Sequence, residues 1–474
     1  MNLEHLSSIL SPASLIDAGV PTASIASLAE GKLSTHVITS GSETEDTLYQ
    51  ACSISKAITA LAVAKLIDQG HLTYATKVAD HLPQDTIDLI VDDKTKHIFS
   101  HITVGHLLSH TSGLSQHGFP GYDERDGFPT AIDVLAGRPP ANTPRIRFTS
   151  LPGAQFSYSG GGFTVLQLFL EALLKKPFTS IMRETVLEPL GMSRSFFGPL
   201  PDDEANYSTP YLTGHLKAPS GPYRFIELAA AGLWTTTSDL VKAIAAVQNS
   251  LESSQGAFLM QLTAYQMLQP VHHVSGATYI AQGWFVTDVA FGHSGGNDPG
   301  YCCYALGFRP DRRFGKREPS KVGEAPPRGA LAVMTNGPYS NQSVWRVVSA
   351  VFYLQNWPRL ASLPGGMVDG QWRAVAVSGG SKISESWKSW IGLWQDGWRI
   401  TTSPDTRPAI SFGGLEAVCL VPAAAPVSAE NGGGDAIALV LEGLEAQITL
   451  TWEGDEKVVK LLQKNPKTLH RVAE

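Results

Sequence analysis

The chain has 474 residues, of which 43% are hydrophobic and 17% charged, with a formal net charge of −7. This balance excludes wholesale disorder and a dedicated nucleic-acid binder, and the length calls for more than one domain. There is no apolar run long enough for a transmembrane helix, so no membrane association is expected.

The stretch from Met1 to Ser14 lacks the basic and apolar regions of a secretory signal. Residues 21–39 read as a hairpin: Ala23 to Leu28, a turn at Glu30-Gly31-Lys32, then Leu33 to Ile38. Ile54, Ala57, Ile58, Leu61, Ala64 and Ile67 lie at helical spacing and predict a helix that starts at Ser53 and stops at Gly70. Residues 71–280 read as mixed but mostly helical, with helical periodicity at Thr164 to Leu174 and Ser238 to Asn249. Strand signals return at Gly283 to Val289, Tyr301 to Phe308 and Ala330 to Met334, and Ser343 to Leu354 reads as a closing helix.

Arg309 to Arg328 interrupts two of these strands and reads as a solvated loop. Past about residue 358 the composition shifts, with six of the ten tryptophans (Trp372, Trp387, Trp390, Trp394, Trp398 and Trp452). Alternation at Ala436 to Leu441 and Ala446 to Trp452, with a turn at Asn431-Gly432-Gly433-Gly434, reads as β structure. The expected fold is therefore α+β. A first domain, residues 1–358, holds a sheet assembled from both its ends with a mostly helical insertion at about 71–280. A small β-rich domain, residues 359–474, follows.

Four cysteines, Cys52, Cys302, Cys303 and Cys419, have neither a disulfide-framework nor a zinc-ligand spacing. Reduced thiols and a cytoplasmic location are the expectation. His106 and His110 stand at i, i+4, yet no glutamate lies between them as in H-E-x-x-H, so no metal and no cofactor are expected.

The chemistry concentrates in Ser53-Ile54-Ser55-Lys56. Residues i and i+3 share a helix face, so the amine of Lys56 stands beside the hydroxyl of Ser53 and can activate it as a nucleophile. Three segments downstream complete the pattern: His110-Thr111-Ser112-Gly113-Leu114, Tyr158-Ser159-Gly160-Gly161-Gly162 and Gly292-His293-Ser294-Gly295-Gly296. Tyr158 ahead of a glycine run can carry a phenol into a cleft, and a lysine near it would lower its pKa, which makes it a candidate general base for Ser53. Backbone N–H groups of Ser53 and Gly296 are candidates for an oxyanion hole. Gly292-x-Ser294-x-Gly296 also matches the nucleophile elbow of α/β hydrolases, but the residues after it read as strand, and His470 is the only histidine further along.

These segments, with Leu187-Glu188-Pro189-Leu190-Gly191-Met192, resemble the serine β-lactamase and penicillin-binding-protein-like superfamily. The branch is that of class C β-lactamases, D-amino-acid amidases and related esterases and acyltransferases. The resemblance spans roughly residues 20–355. It implies a β-lactamase-like catalytic domain, with Ser53 as the acylated nucleophile and Lys56 and Tyr158 as its proton-transfer partners. It also implies that His293, Ser294 and Gly295 bind substrate where penicillin-recognising members carry Lys-Thr-Gly. Gly160 stands where many members have asparagine, and His293 replaces a permanent cation.

Both departures favour a small-molecule ester, lactone or amide substrate over a β-lactam or a D-amino-acid peptide. Acyl transfer in small-molecule biosynthesis is the alternative outcome on the same fold, and a catalytically silent binding protein the alternative from another class. His117, Phe119, Tyr122, Trp234, Trp284 and Tyr301 are candidate pocket walls, with Trp234 and Tyr301 foremost.

Overall fold

The computed structural model describes residues 3–309 and 328–357, apart from positions 18–19, 94, 214–215, 254 and 338–342. Beyond these it describes 362–363, 367–368, 385–394, 398–402, 408–412, 418–422, 437–441, 447–453, 456–462 and 467–471. The loop at 310–327 and the turn at Asn431-Gly432-Gly433-Gly434 lie outside the described residues.

The chain separates into two compact units, Met1–Val348 with Leu354–Met367, and Ser349–Tyr353 with Val368–Glu474. In the first unit the predicted hairpin forms β1 (Thr22–Ala29) and β2 (Lys32–Thr39). Glu30 (φ 52°) and Gly31 (φ 75°) make its two-residue turn, and positive φ at both positions matches the twist of the flanking strands. Short strands β3 (Tyr49–Gln50), β4 (Phe196–Phe197) and β5 (Leu233–Thr235) form a separate three-stranded sheet with β5 in the middle.

β6 (His272–Ser275), β7 (Thr278–Ile280), β8 (Phe285–Val286), β9 (Ala290–Asn297), β10 (Tyr301–Phe308) and β11 (Gly329–Thr335) complete the main sheet. Its order is β2-β1-β11-β10-β9-β8-β7-β6, and each neighbouring pair is antiparallel. The β1–β11 pairing joins the two ends of the unit, with Ile25 opposite Val333. This is the sheet from distant segments that the sequence predicts.

Helix α1 (Ile54–Asp68) is buried on all sides from Ile54 to Ala64. Its small residues Ala57, Ala60, Ala62 and Ala64 let neighbouring elements approach from every direction, which suits a central helix rather than a surface one. α3 (Leu228–Ala231) packs against it, α2 (Gly160–Leu174) packs on α3, and α4 (Thr237–Glu252) lies against β1, β10 and β11 of the main sheet. Both faces of β10 are covered. A Cβ on Gly307 would touch Ile244 of α4, while Tyr304, of opposite parity, meets Trp345 of the closing helix α5 (Ser343–Leu354) with ring centroids 4.8 Å apart. Cys302 and Cys303 alternate across this strand, and both are buried.

Among the described residues, the second unit is a meander of eight strands: β12 (Gly392–Trp394), β13 (Trp398–Thr402), β14 (Pro408–Phe412), β15 (Val418–Pro422), β16 (Ile437–Leu441), β17 (Gln447–Glu453), β18 (Glu456–Leu462) and β19 (Lys467–His470). Neighbours in sequence are neighbours in the sheet. A bridge between Trp394 and Arg471 joins the first strand to the end of the last, closing the meander into an up-and-down barrel.

Candidate active site

The turn before α1 sets the geometry. Cys52 takes the left-handed conformation (φ 51°), which costs a non-glycine residue energy and turns the chain sharply into the helix. Ser55 fixes that turn: its hydroxyl donates to the Cys52 carbonyl at 2.6 Å and accepts from the Leu233 N–H at 3.1 Å. Thr59, one turn on, donates to the carbonyls of Ser55 (2.9 Å) and Ala229 (3.3 Å). The start of α1 is thereby tied to the segment 229–233.

Lys56 is 2% exposed, and its amine stands 3.0 Å from Ser53 Oγ and 2.8 Å from the Ala230 carbonyl oxygen. It lies over the rings of Tyr158 (5.0 Å) and Phe163 (5.8 Å). Burial, which penalises the charged form, pulls its pKa down from 10.5 to about 7. A neutral amine has one lone pair. With an N–H given to Ala230, that lone pair is available to the Ser53 hydroxyl. The sequence places Lys56 beside Ser53, but nothing in it singles out the carbonyl that orients the amine.

This burial has a cost that a substitution would reveal. Between pH 7 and 10.5 the unfolded chain holds a proton at Lys56 that the folded chain lacks, so stability rises with pH across that window. Below pH 7 the full penalty remains, about 5 kcal/mol at 1.36 kcal/mol per pH unit. Stranding the Ala230 carbonyl would return about 1–3 kcal/mol of it. Lys56→Met is therefore expected to raise Tm at pH 7 by a few degrees, with the gain shrinking toward pH 10. Calorimetry at the two pH values checks this, and a lower Tm at pH 7 would count against it.

Tyr158 is half-buried and directly precedes Ser159, the N-cap of α2. The Ser159 hydroxyl accepts from Gly162 N–H at 2.8 Å and donates to the Ser115 carbonyl at 3.0 Å. The Tyr158 ring is stacked on His110 (centroids 4.2 Å apart) and flanked by His117 (4.7 Å) and Phe285 (6.4 Å). A Cβ on Gly160 would come within 2.9 Å of Phe119 and 3.0 Å of the His117 carbonyl. The space an asparagine would need is thus filled by the 117–119 loop.

Ser294 sits inside β9, opposite Tyr304, and the strand runs on to Asn297. A nucleophile elbow requires a strand-to-helix turn there, so the α/β-hydrolase alternative is excluded. β8 pairs with β9 only at Phe291 and Gly292, and the segment from His293 onward faces the start of α1. A Cβ on Gly295 would lie 2.7 Å from Ser53 N and 2.7 Å from the Cys52 Cβ. Only glycine lets the strand approach this closely. Gly295→Ala must push β9 away from Ser53, and a displacement near 1 Å at a reacting centre costs about 10²-fold in rate. That loss in kcat, in a folded variant, is the expected result; unchanged kcat would refute it.

His293 is 2% exposed, and burial together with the Lys56 charge pushes its pKa down to about 3, so the ring is neutral. His117, half-buried, is also pulled below its ordinary value by burial. Asn297 donates to Gln50 Oε1 at 2.7 Å, and Gln50 donates to the Tyr223 carbonyl at 2.7 Å. This buried amide ladder ties the end of β9 to the cleft wall, and neither residue carries a recognisable sequence signal.

A cleft of about 450 Å³ is lined by Gln50, Tyr207, Tyr223, Phe225, Ala231 and Trp234, among others. It meets the site at Gln50 and Ala231; Ser53 is not in its lining. Of the expected pocket walls, Trp234 lines it. Tyr301 is instead packed behind Trp234 (5.9 Å), fully buried, its hydroxyl donating to the Ser208 carbonyl at 2.6 Å. Tyr122 and Trp284 are buried too, Tyr122 donating to Glu227 at 2.8 Å, while His117 and Phe119 belong to the Tyr158 surroundings. Aromatic type alone does not separate a wall from the layer behind it, so nothing in the sequence marks Tyr207, Tyr223 and Phe225 as cleft walls.

Among the described residues there is no group of three or more His, Cys, Asp or Glu side chains able to hold a metal. Nor is any described helix long and apolar enough to cross a membrane.

A penicillin-binding protein 4 of Amycolatopsis lactamdurans is 29% identical over 187 residues, 37% of this chain and 44% of its own. Esterase EstB of Burkholderia gladioli is 27% identical over 234 residues, 43% of this chain and 58% of its own. The matches thus span about half the length of these relatives. Among solved structures, the octameric penicillin-binding protein homologue from Pyrococcus abyssi superposes with a TM-score of 0.59 at 19% identity, covering 99% of this chain and 100% of the other. A D-stereospecific amidohydrolase from Streptomyces sp. gives 0.55 at 19% identity, covering 73% and 98%. At these identities the two structures share the fold. The Beta-lactamase family profile matches residues 13–347, and the chain belongs to that family.

Proposed function

We propose that the protein is an esterase that forms an acyl-enzyme on Ser53, acting on a small-molecule ester, lactone or amide. The observation that carries this reading is the buried Lys56 amine, with a pKa near 7, at 3.0 Å from Ser53 Oγ. Ser53 attacks the substrate carbonyl while Lys56, assisted by Tyr158, takes the hydroxyl proton and returns it to the leaving group. The N–H groups of Ser53 and Gly296 hold the developing oxyanion, an assignment supported by the close approach of β9 to Ser53 N. His293, Ser294 and Gly295 border the reacting carbonyl, and the aromatic cleft beside Trp234 takes the apolar part of the substrate.

A neutral His293 gives no cation for a substrate carboxylate, which favours an uncharged ester over a β-lactam or a D-amino-acid peptide. The relative named esterase EstB supports the same choice. A panel of p-nitrophenyl esters, a cephalosporin and a D-amino-acid amide tests it, with intact-mass detection of an acyl adduct. Turnover of esters alone fits the reading; a preference for the cephalosporin or the amide would overturn it.

A further inference from the structure

The carbonyl that holds the Lys56 amine belongs to a very short element. α3 (Leu228–Ala231) is a single helical turn, too short to keep its own shape, because the first turn fixes several dihedrals for one hydrogen bond. Yet its carbonyls carry the start of α1: Ala229 accepts from Thr59 and Ala230 from Lys56. The Ala231 carbonyl accepts from Asn297 of β9 at 3.3 Å. The far end of this turn is tied at Leu233, whose N–H donates to Ser55 and whose carbonyl accepts from Ala51 N–H at 2.8 Å. Whatever fixes the near end therefore sets where the Ala230 carbonyl stands.

Two side chains fix it. Gln167 of α2 spans the turn with two long bonds, donating to the Ile226 carbonyl at 3.4 Å and accepting from Ala229 N–H at 3.3 Å. Glu227 makes the short one: its buried carboxyl accepts from the buried Tyr122 hydroxyl at 2.8 Å. Glu227 stands at the N-cap of α3, where a side-chain oxygen ordinarily accepts from helix N–H groups, but it makes no such bond. Its backbone carbonyl accepts from Ala230 and Ala231 N–H at 2.9 Å each, and its side chain reaches across to Tyr122 instead. Burial and the facing carboxyl raise the Tyr122 phenol above its ordinary range, so the phenol keeps its proton and donates. Burial also pushes the Glu227 carboxyl up to about 7, a cost that an apolar side chain would not carry. Just ahead of Tyr122 in the chain, His117 packs against the Tyr158 ring at 4.7 Å. The Tyr122–Glu227 bond thus runs from the loop beside Tyr158 to the turn that holds Lys56.

We propose that Tyr122 and Glu227 are positioning residues, whose buried hydrogen bond braces the 227–231 turn so that the Ala230 carbonyl holds Lys56 against Ser53 and shuts water away from its amine. The effect on rate rests on the acyl-enzyme reading; the effect on Lys56 does not. Without the brace the turn loosens, water reaches the amine, and the burial that depresses its pKa is relieved. Lys56 then keeps its proton to higher pH and stands less well placed to accept one from Ser53.

The test is a pH titration of Lys56 in the full chain, labelled with 13Cε-lysine, its signal identified by its absence in Lys56→Met. A midpoint near 7 is expected in the wild type. Tyr122→Phe and Glu227→Leu each break the brace and are expected to raise the midpoint by about one unit. Glu227→Gln keeps an oxygen that accepts from Tyr122 and is expected to restore the midpoint near 7. The other titratable groups around the amine, Cys52, Tyr158, His110, His117 and His293, are substituted in none of these variants.

Ester turnover is the second readout. In Tyr122→Phe the kcat/KM limb is expected to move up with the midpoint, a loss of about fivefold at pH 7 from the smaller neutral fraction alone, and Glu227→Gln should stay within about threefold of the wild type. A lower Tm in Tyr122→Phe with the Lys56 midpoint still near 7 would show a merely structural bond and overturn the brace. A Glu227→Gln variant that behaves like Glu227→Leu, or that loses the limb altogether, would overturn it too, since charge or titration at 227 would then be what matters. A wild type without Ser53-dependent turnover would overturn the acyl-enzyme reading instead. The Lys56 midpoints then decide alone: a rise in Tyr122→Phe supports the brace, and one midpoint in all variants refutes it.

Discussion

Ser53→Ala is expected to lower ester turnover by at least about 10³-fold and to abolish the acyl adduct while leaving the fold intact. The magnitude follows from what the hydroxyl does. Without Oγ there is no nucleophile for Lys56 to activate at 3.0 Å, and hydrolysis falls back on whatever the oxyanion donors and the cleft supply. Ser53 is partly exposed and contributes no side-chain bond to the N-cap of α1, so its loss removes little stability. The circular-dichroism spectrum should match that of the wild type, and Tm should stay within a few degrees. Ser294→Ala is the contrasting variant, since Ser294 lies within a paired strand and forms no acyl bond in this reading. Retained turnover and adduct in Ser53→Ala would sink the assignment outright.

How much of this was legible in the sequence depends on which physics each residue obeys. The β1–β2 hairpin, α1, β10, β11 and α5 follow from hydrophobic periodicity and turn chemistry, because each buries apolar side chains in a regular pattern. β9 is different. Its second half, His293-Ser294-Gly295-Gly296-Asn297, has almost no apolar side chain to alternate, and it becomes a strand through its pairing with β10 and its approach to Ser53. Residues 71–280 read as mostly helical, whereas the structure has only short helices from Val78 to Ala136 and long irregular stretches between them. The backbone there is held by capping boxes such as Thr103–His106 and Thr130–Asp133 rather than by long apolar stripes.

The site divides in the same way. Ser53 and Lys56 meet because helix geometry brings i and i+3 together, and that is local. The approach of Tyr158 to Lys56 is not local: a separation of 102 residues (158 − 56) is closed only by tertiary packing, so the resemblance carried it. The carbonyl of Ala230, the Asn297–Gln50 ladder and the pairing of His110 with Ser159 had no sequence signal at all. Backbone carbonyls have no letter of their own, and a buried amide looks like any other asparagine or glutamine until its neighbours are known.

The pH dependence decides between the two proton acceptors that the sequence left open. With the Lys56 pKa near 7, kcat/KM is expected to rise about tenfold per pH unit below that value and to level off above it, because only the neutral amine can accept the Ser53 proton. Lys56→Arg should then lose at least about 10³-fold at every pH, since a guanidinium stays protonated and offers no lone pair. Tyr158→Phe separates the roles. If Lys56 is the base, this variant turns over more slowly but keeps the limb near pH 7. The limb shifts little, because an aromatic ring still lies over the amine and burial, the main cause of the low pKa, is unchanged. If Tyr158 is the base, acting as a phenolate paired with a charged Lys56, activity must instead fall as pH rises through the Lys56 value, and Tyr158→Phe must erase the profile altogether. The low pKa that burial gives Lys56 argues for the first outcome, because it populates a neutral amine near pH 7, and the Ala230 carbonyl, which accepts an amine N–H at 2.8 Å in either protonation state, holds that amine 3.0 Å from Ser53 Oγ.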